Sequence, residues 1–283
     1  MTLGSHKTGS IVYNELRMVR NAKDCSFLLV EGADDACFWK SRRHERCDLV
    51  IAENRPNLLQ ALSLADAAQF GGALGVADAD WDHLHGIPPC SRNLILTDCH
   101  DLECTLARTQ AFRKVILELC DESSIAKFEN SQGVPLQEAL LGRCLEFGRM
   151  RWLNVRSAAP QPMTWMSISR FMDERTWLVK DAELHTEAVK NGLAPDVSSL
   201  RIGLQQLPQA DPWDVVNGHD LVDILALAFR RVLSKARKRV LGGGDVASAL
   251  RLAAERAHLQ ELKLFQEIAD WESRNTPYKI CAT

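Results

Sequence analysis

Ser26-Phe27-Leu28-Leu29-Val30-Glu31-Gly32 is the stretch that decides the fold. This short apolar run reads as a strand covered on both faces, and the Glu-Gly after it marks a sharp turn at the strand's carboxyl end. The pattern then repeats. Upstream, Ile11 to Lys23 reads as a short helix. Downstream, Asp34 to Arg46 places Ala36, Phe38, Trp39 and Arg42 at helical spacing, with Asp34 and Asp35 favourable in the first turn. A second strand follows at Cys47 to Ala52. Asn54 is placed to cap a helix bearing Leu58, Leu59, Leu62, Leu64 and Ala65, which Gly71-Gly72 closes.

A third strand, Ala73 to Ala77, runs into Asp78-Ala79-Asp80-Trp81-Asp82, and after a loop with Pro88-Pro89 a fourth reads Asn93 to Thr97. Strands alternating with helices imply right-handed crossovers and a parallel sheet. Beyond Asp101 strand character fades. The clearest helical stretches are Leu102 to Cys120, Leu136 to Phe147, Asp220 to Leu241 and Asp245 to Ser273, with Gly242-Gly243-Gly244 between the last two. Trp152 to Met172 is poorly periodic. The expected organisation is an α/β unit over residues 1–110, a parallel sheet flanked by helices, followed by a mainly helical region over residues 111–283.

Bulk composition bounds the function classes. The chain has 283 residues, 46% hydrophobic and 25% charged, which is ordinary globular composition rather than disorder. With a net charge of −3, binding to nucleic acid has to come from a local basic patch. Nine cysteines at irregular spacings, without paired histidines or short CxxC motifs, point to reduced thiols and away from zinc. No apolar run approaches the roughly 20 residues needed to cross a bilayer. A soluble, cytoplasmic protein is expected.

In an open parallel sheet, ligands collect beyond the carboxyl ends of the strands. Glu31 ends the first strand, Asp78 and Asp80 end the third, and Asp98, Asp101 and Glu103 follow the fourth. Clustered acids repel one another unless a cation neutralises them, and an all-carboxylate donor set suits magnesium, with manganese as a substitute. In extended backbone, Asp78 and Asp80 point the same way. Gly32 is expected to allow the turn behind Glu31 and leave room for a phosphate, and Asp35 to reach the same ion. Any one of these acids taken alone is more often a helix cap.

The stretches Val30-Glu31-Gly32-Ala33-Asp34-Asp35 and Val76-Ala77-Asp78-Ala79-Asp80 resemble the TOPRIM fold of topoisomerases, primases and overcoming-lysogenization-defect nucleases. Asp98-Cys-His-Asp-Leu-Glu103 and Val216-Asn-Gly-His-Asp-Leu221 are more specifically similar to the TOPRIM-like family of bacterial anti-phage defence proteins that supplies the effector of the PARIS system. The resemblance implies a magnesium-dependent nuclease acting on RNA, with transfer RNA a candidate, or on DNA. It also implies a partner ABC-type ATPase that senses phage. On that likeness Glu31 matches the general acid/base, Asp78 and Asp80 the metal-binding pair, Asp35 the second acid of the Glu-Gly motif, and Glu103 the acid after the fourth strand. Asp35 is one methylene shorter than the glutamate usual in overcoming-lysogenization-defect nucleases.

Outside the acidic edge, Arg230, Arg231, Lys235, Arg237, Lys238 and Arg239 form a basic run with no acid between them. It reads either as a solvated helix surface or as a patch for phosphate or a partner. Asp220 is expected to cap a helix, and His219 to assist proton transfer only if it lies over the acids. Trp39, Trp81 and Trp213 are expected as core anchors or as platforms for bases, and His83 and His85 as polar loop residues. The long helices toward the C-terminus suggest a homodimer. Only Tyr13 and Tyr278 are available as tyrosine nucleophiles, which disfavours a covalent topoisomerase. The rival to a nuclease is a catalytically silent TOPRIM-like binding module that docks to an ATPase or a phage protein.

Overall fold

The computed structural model describes residues 7–233 and 241–282. In chain order the first elements are α1 (Gly9–Ala22), β1 (Ser26–Val30), α2 (Ala33–Lys40), β2 (Cys47–Ile51), α3 (Arg55–Ala67), β3 (Ala73–Ala77), α4 (Asp82–His85) and β4 (Leu94–Leu96). A helical series follows: α5 (Leu102–Ala107), α6 (Gln110–Leu119), α7 (Glu122–Gln132), α8 (Leu136–Val155) and α9 (Ile168–Phe171). A small antiparallel hairpin, β5 (Met172–Asp173) with β6 (Leu178–Val179), leads to α10 (Asp181–Lys190), α11 (Val197–Gln205), α12 (Pro212–Val215) and α13 (Gly218–Arg231). The last helices are α14 (Gly243–Ala253), α15 (Arg256–Leu259) and α16 (Lys263–Arg274).

The chain divides into two compact units. The first joins residues 1–82, 86–102 and 256–283, and the second joins residues 83–85 and 103–255. The expected single cut near residue 110 is therefore replaced by a first unit that takes back the end of the chain. The physical reason lies in α16. Its buried Leu264, Ile268 and Trp271 form one apolar face, and Trp271 Nε1 donates to Asn93 Oδ1 at 2.7 Å beside β4. The C-terminal segment adds a bridge between Arg43 and Cys281. No part of the expected helix Asp245 to Ser273 runs continuously for its full length, because backbone breaks at Ala254 and after Leu259 divide it into three.

The sheet of the first unit is four-stranded and wholly parallel, in the order β2-β1-β3-β4. It was legible because β1 and β3 are buried along their whole length. Phe27 and Leu29 pack with Val12 and Leu16 of α1 and with Leu58 and Leu62 of α3. Alternation along the strands sends Leu28, Val30 and Val76 to the other face. There Trp39 of α2 lines a crevice with Val76 and stacks on Phe265 of α16 at 5.3 Å between ring centres. At the start of α3 the expected cap is present, with Asn54 Oδ1 accepting from Asn57 N–H at 2.9 Å.

In the second unit, the stretch Leu102 to Cys120 is two helices, not one. Thr109 breaks it by capping α6, accepting from Ala111 N–H at 3.1 Å. Helix α8 runs on to Val155, past its expected end at Phe147. Among the described residues no helix is long and apolar enough to cross a membrane, and all nine cysteines are free thiols.

Candidate functional site

The register of the sheet assembles the acidic edge. Leu29 of β1 lies opposite Gly75 of β3, so Glu31 and Asp78 leave their strands side by side. Asp78 N–H donates to Glu31 Oε1 at 3.1 Å and fixes the junction. Asp78 Oδ1 in turn accepts from Leu102 N–H at 3.1 Å, where α5 begins beyond β4. Asp35, in the first turn of α2, accepts from Gly32 N–H at 2.9 Å. Asp35 and Asp78 also line, with Thr97, a crevice of about 10 Å³, the space of about one water molecule.

Asp80 reaches this edge by a different geometry from the one expected. The strand stops at Ala77, Ala79 is fully buried with its N–H on Thr97 Oγ1 at 2.9 Å, and Asp80 turns into the left-handed region with φ of 48°. Strand alternation therefore does not set the directions of Asp78 and Asp80, which both lie beyond the end of β3. A left-handed aspartate is uncommon and holds only where its neighbours fix it. His100 does so, its carbonyl accepting Asp80 N–H at 2.7 Å. His100 is itself buried, with Nδ1 at 3.1 Å from Asp101 Oδ2 and the ring edge-on to Trp81. Gly32, at the turn behind Glu31, has φ of −133°, a backbone open to any residue.

Charge at the edge is balanced partly from within. Arg55, the first residue of α3, donates from Nη1 to the Asp78 carbonyl at 2.9 Å and to Asp80 Oδ2 at 3.0 Å, and from Nη2 to Asp82. Glu31 carries the residual imbalance. Burial foremost, with the Asp80 and Asp35 charges adding to it, pushes its carboxyl up to about 7, against the opposing effect of the Asp78 amide and Arg55. The donor set is oxygen only, which fits a hard divalent ion. Among the described residues, no three acids, histidines or cysteines converge closely enough to ligate an ion as they stand. Each acid of the edge has instead turned to a nearby amide or to Arg55.

The other expected site residues are distributed as follows. Glu103 belongs to the second unit and pairs with Arg251 at 3.2 Å, both largely buried. Asp98 is a helix cap, accepting from Lys263 and Leu264 N–H at 2.8 Å each. Asp220 is not the cap of α13. That role falls to Asn217, and Asp220 is buried against Arg151 with two bonds of 2.9 Å. His219, His83 and His85 are exposed. Trp39 and Trp213 are core residues, and only Trp81 of the three keeps partial exposure. In the basic run, Arg230 is exposed and Arg231 pairs with Glu174 at 2.7 Å. Lys235, Arg237, Lys238 and Arg239 lie outside the described residues.

Arg55 and His100 are the two members of this edge that sequence reading missed. The signal for Arg55 was its place after β2, immediately behind the Asn54 cap. The chain matches no protein-family model and no curated protein.

Proposed function

We propose that the first unit is a TOPRIM-type, divalent-metal-dependent nuclease that cleaves phosphodiester bonds of RNA, with transfer RNA a candidate, or of DNA. One observation supports this reading: Glu31, Asp35, Asp78 and Asp80 lie at the carboxyl edge of adjacent parallel strands, where ligands collect in an open α/β sheet. Glu31, Asp35, Asp78 and Asp80 would hold magnesium or manganese, which supplies charge neutralisation for the phosphate and an activated water. Glu31, partly buried and poised near neutral pH, is suited to accept and return a proton. Asp78 tethers the first turn of α5 and keeps the edge in register. His100 holds the Asp80 turn.

In a defence setting the effector would work with an ABC-type ATPase sensor and as a homodimer. These partners rest on the resemblance of the short motifs. The rival reading, a silent module that docks to such a partner, is favoured by the internal satisfaction of the acids. Cleavage separates the two. Purified protein with magnesium or manganese is expected to cut RNA or DNA, and Glu31→Gln and Asp78→Asn to lower the rate by about 100-fold or more, the range for loss of a general acid/base. Activity indifferent to both substitutions removes the site assigned here.

A further inference from the structure

We propose that Arg55 is an exchangeable counter-charge. Its guanidinium holds Asp80 while no divalent ion is bound, and it releases Asp80 to engage a substrate phosphate once the ion takes that acid. The inference rests on the metal-site reading above and concerns how that site is regulated.

The geometry of the Arg55 fork is unequal. Its Nη2 arm meets Asp82, and both side chains are sheltered, at 19% and 17% exposed. Its Nη1 arm meets Asp80, whose side chain is 45% exposed. A bond to a sheltered carboxylate is hard to replace with water, whereas a bond to an open one is readily exchanged. The fork is thus anchored on Asp82 and free to let go on the Asp80 side. The Asp78 carbonyl, 2.9 Å from Nη1, keeps the released arm at the strand ends, where a substrate phosphate would lie. The planar guanidinium presents paired donors that suit phosphate oxygens as well as a carboxylate. The base of the side chain is fixed, because Arg55 opens α3 directly behind the Asn54 cap and ahead of Pro56.

Exchange makes two ligands interdependent. Arg55 and the ion compete for Asp80, so the ion must first displace the guanidinium. Arg55 freed in this way raises affinity for phosphate, and by linkage phosphate must raise affinity for the ion by the same factor. Here Arg55 acts as a positioning and gating residue.

The test uses the full chain and three proteins: wild type, Arg55→Lys and Arg55→Met. Calorimetric titration with manganese gives ion affinity. Titration with a short phosphorothioate RNA, with and without manganese, gives the coupling. Arg55→Met is expected to bind manganese about tenfold more tightly, because one charge-assisted competitor is gone. Arg55→Lys keeps the charge but lacks the fork, and is expected to gain severalfold. Manganese is expected to strengthen RNA binding in wild type and to lose that effect in Arg55→Met. Manganese affinity unchanged or weakened in both variants overturns the exchange, as does intact coupling in Arg55→Met. Should Arg55→Met fail to fold, Arg55→Lys decides alone: no gain overturns the proposal. If none of the three proteins binds manganese, the metal reading itself falls and the exchange falls with it. Equal binding by all three removes the exchange only.

Discussion

Replacing Glu31 by glutamine should stabilise this protein above neutral pH and leave it unchanged in acid. A carboxyl held at about 7 instead of its ordinary 4.5 costs about 3 kcal/mol more to ionise in the folded chain than in the unfolded one. The group is partly open to solvent, which reduces the useful figure to about 1–2 kcal/mol. The sign follows from which state binds the proton. Below pH 4.5, Glu31 is protonated in both states and contributes no penalty. As pH rises through 7 the folded chain must ionise it among Asp35 and Asp80, and that stability is lost. Glutamine keeps an oxygen for the Asp78 amide but carries no charge.

In chelator at pH 8, Glu31→Gln is therefore expected to melt about 2–8 °C above wild type, from about 2–4 °C per kcal/mol for a chain of this size. At pH 5 the two should melt within a degree or so of each other. Added magnesium should raise the wild type at pH 8 and move the variant little. The difference between the proteins cancels the titrating groups remote from Glu31. A variant that melts lower by the same margin at both pH values refutes the account of Glu31 as a buried, unneutralised acid.

Other outcomes follow from packing and pairing. Trp271→Ala should cost about 3–5 kcal/mol by emptying a buried site within the first unit, measurable by denaturant unfolding. Trp271→Phe should cost less, since a ring still fills most of the site and the loss is the bond to Asn93 with a smaller cavity. Arg151→Met should destabilise the second unit by about 3–5 kcal/mol, because it strands the buried Asp220 carboxylate. The double variant Arg151→Met with Asp220→Leu should recover much of that loss. Gly148→Ala should be strongly destabilising, since its Cβ would fall 2.4 Å from the Val215 carbonyl oxygen, whereas Gly142→Ala, in the same helix with open space around it, should be neutral or mildly stabilising.

The sheet was readable in the sequence because its strands are short apolar runs between polar breaks, and burial on both faces leaves that mark. The order of acids along the edge was readable for the same reason, since each sits one step past a strand. The extended backbone expected at Asp80 is absent. The strand ends at Ala77, and a hydrogen bond to a residue twenty positions on, His100, sets the turn. No local pattern encodes a contact of that range. Asp220 was expected as a cap from its place at a helix start, yet Asn217 takes that role and Asp220 pairs with Arg151, 69 positions earlier in the chain, just as Glu103 pairs with the distant Arg251. The interruptions at Thr109 and Ala254 show the converse limit. Helical periodicity continues across a break when both helices bury the same kind of residue, so the pattern overstates length.

The return of residues 256–283 to the first unit has a consequence for the order of events on the ribosome. The strands and acids are made early, yet the edge of β4 lacks α16, and Asp98 lacks the amides of Lys263 and Leu264, until the segment that carries α16 is synthesised. Domains generally fold as units while the chain emerges. The first unit here must wait, with its sheet incompletely covered, through translation of the entire helical unit.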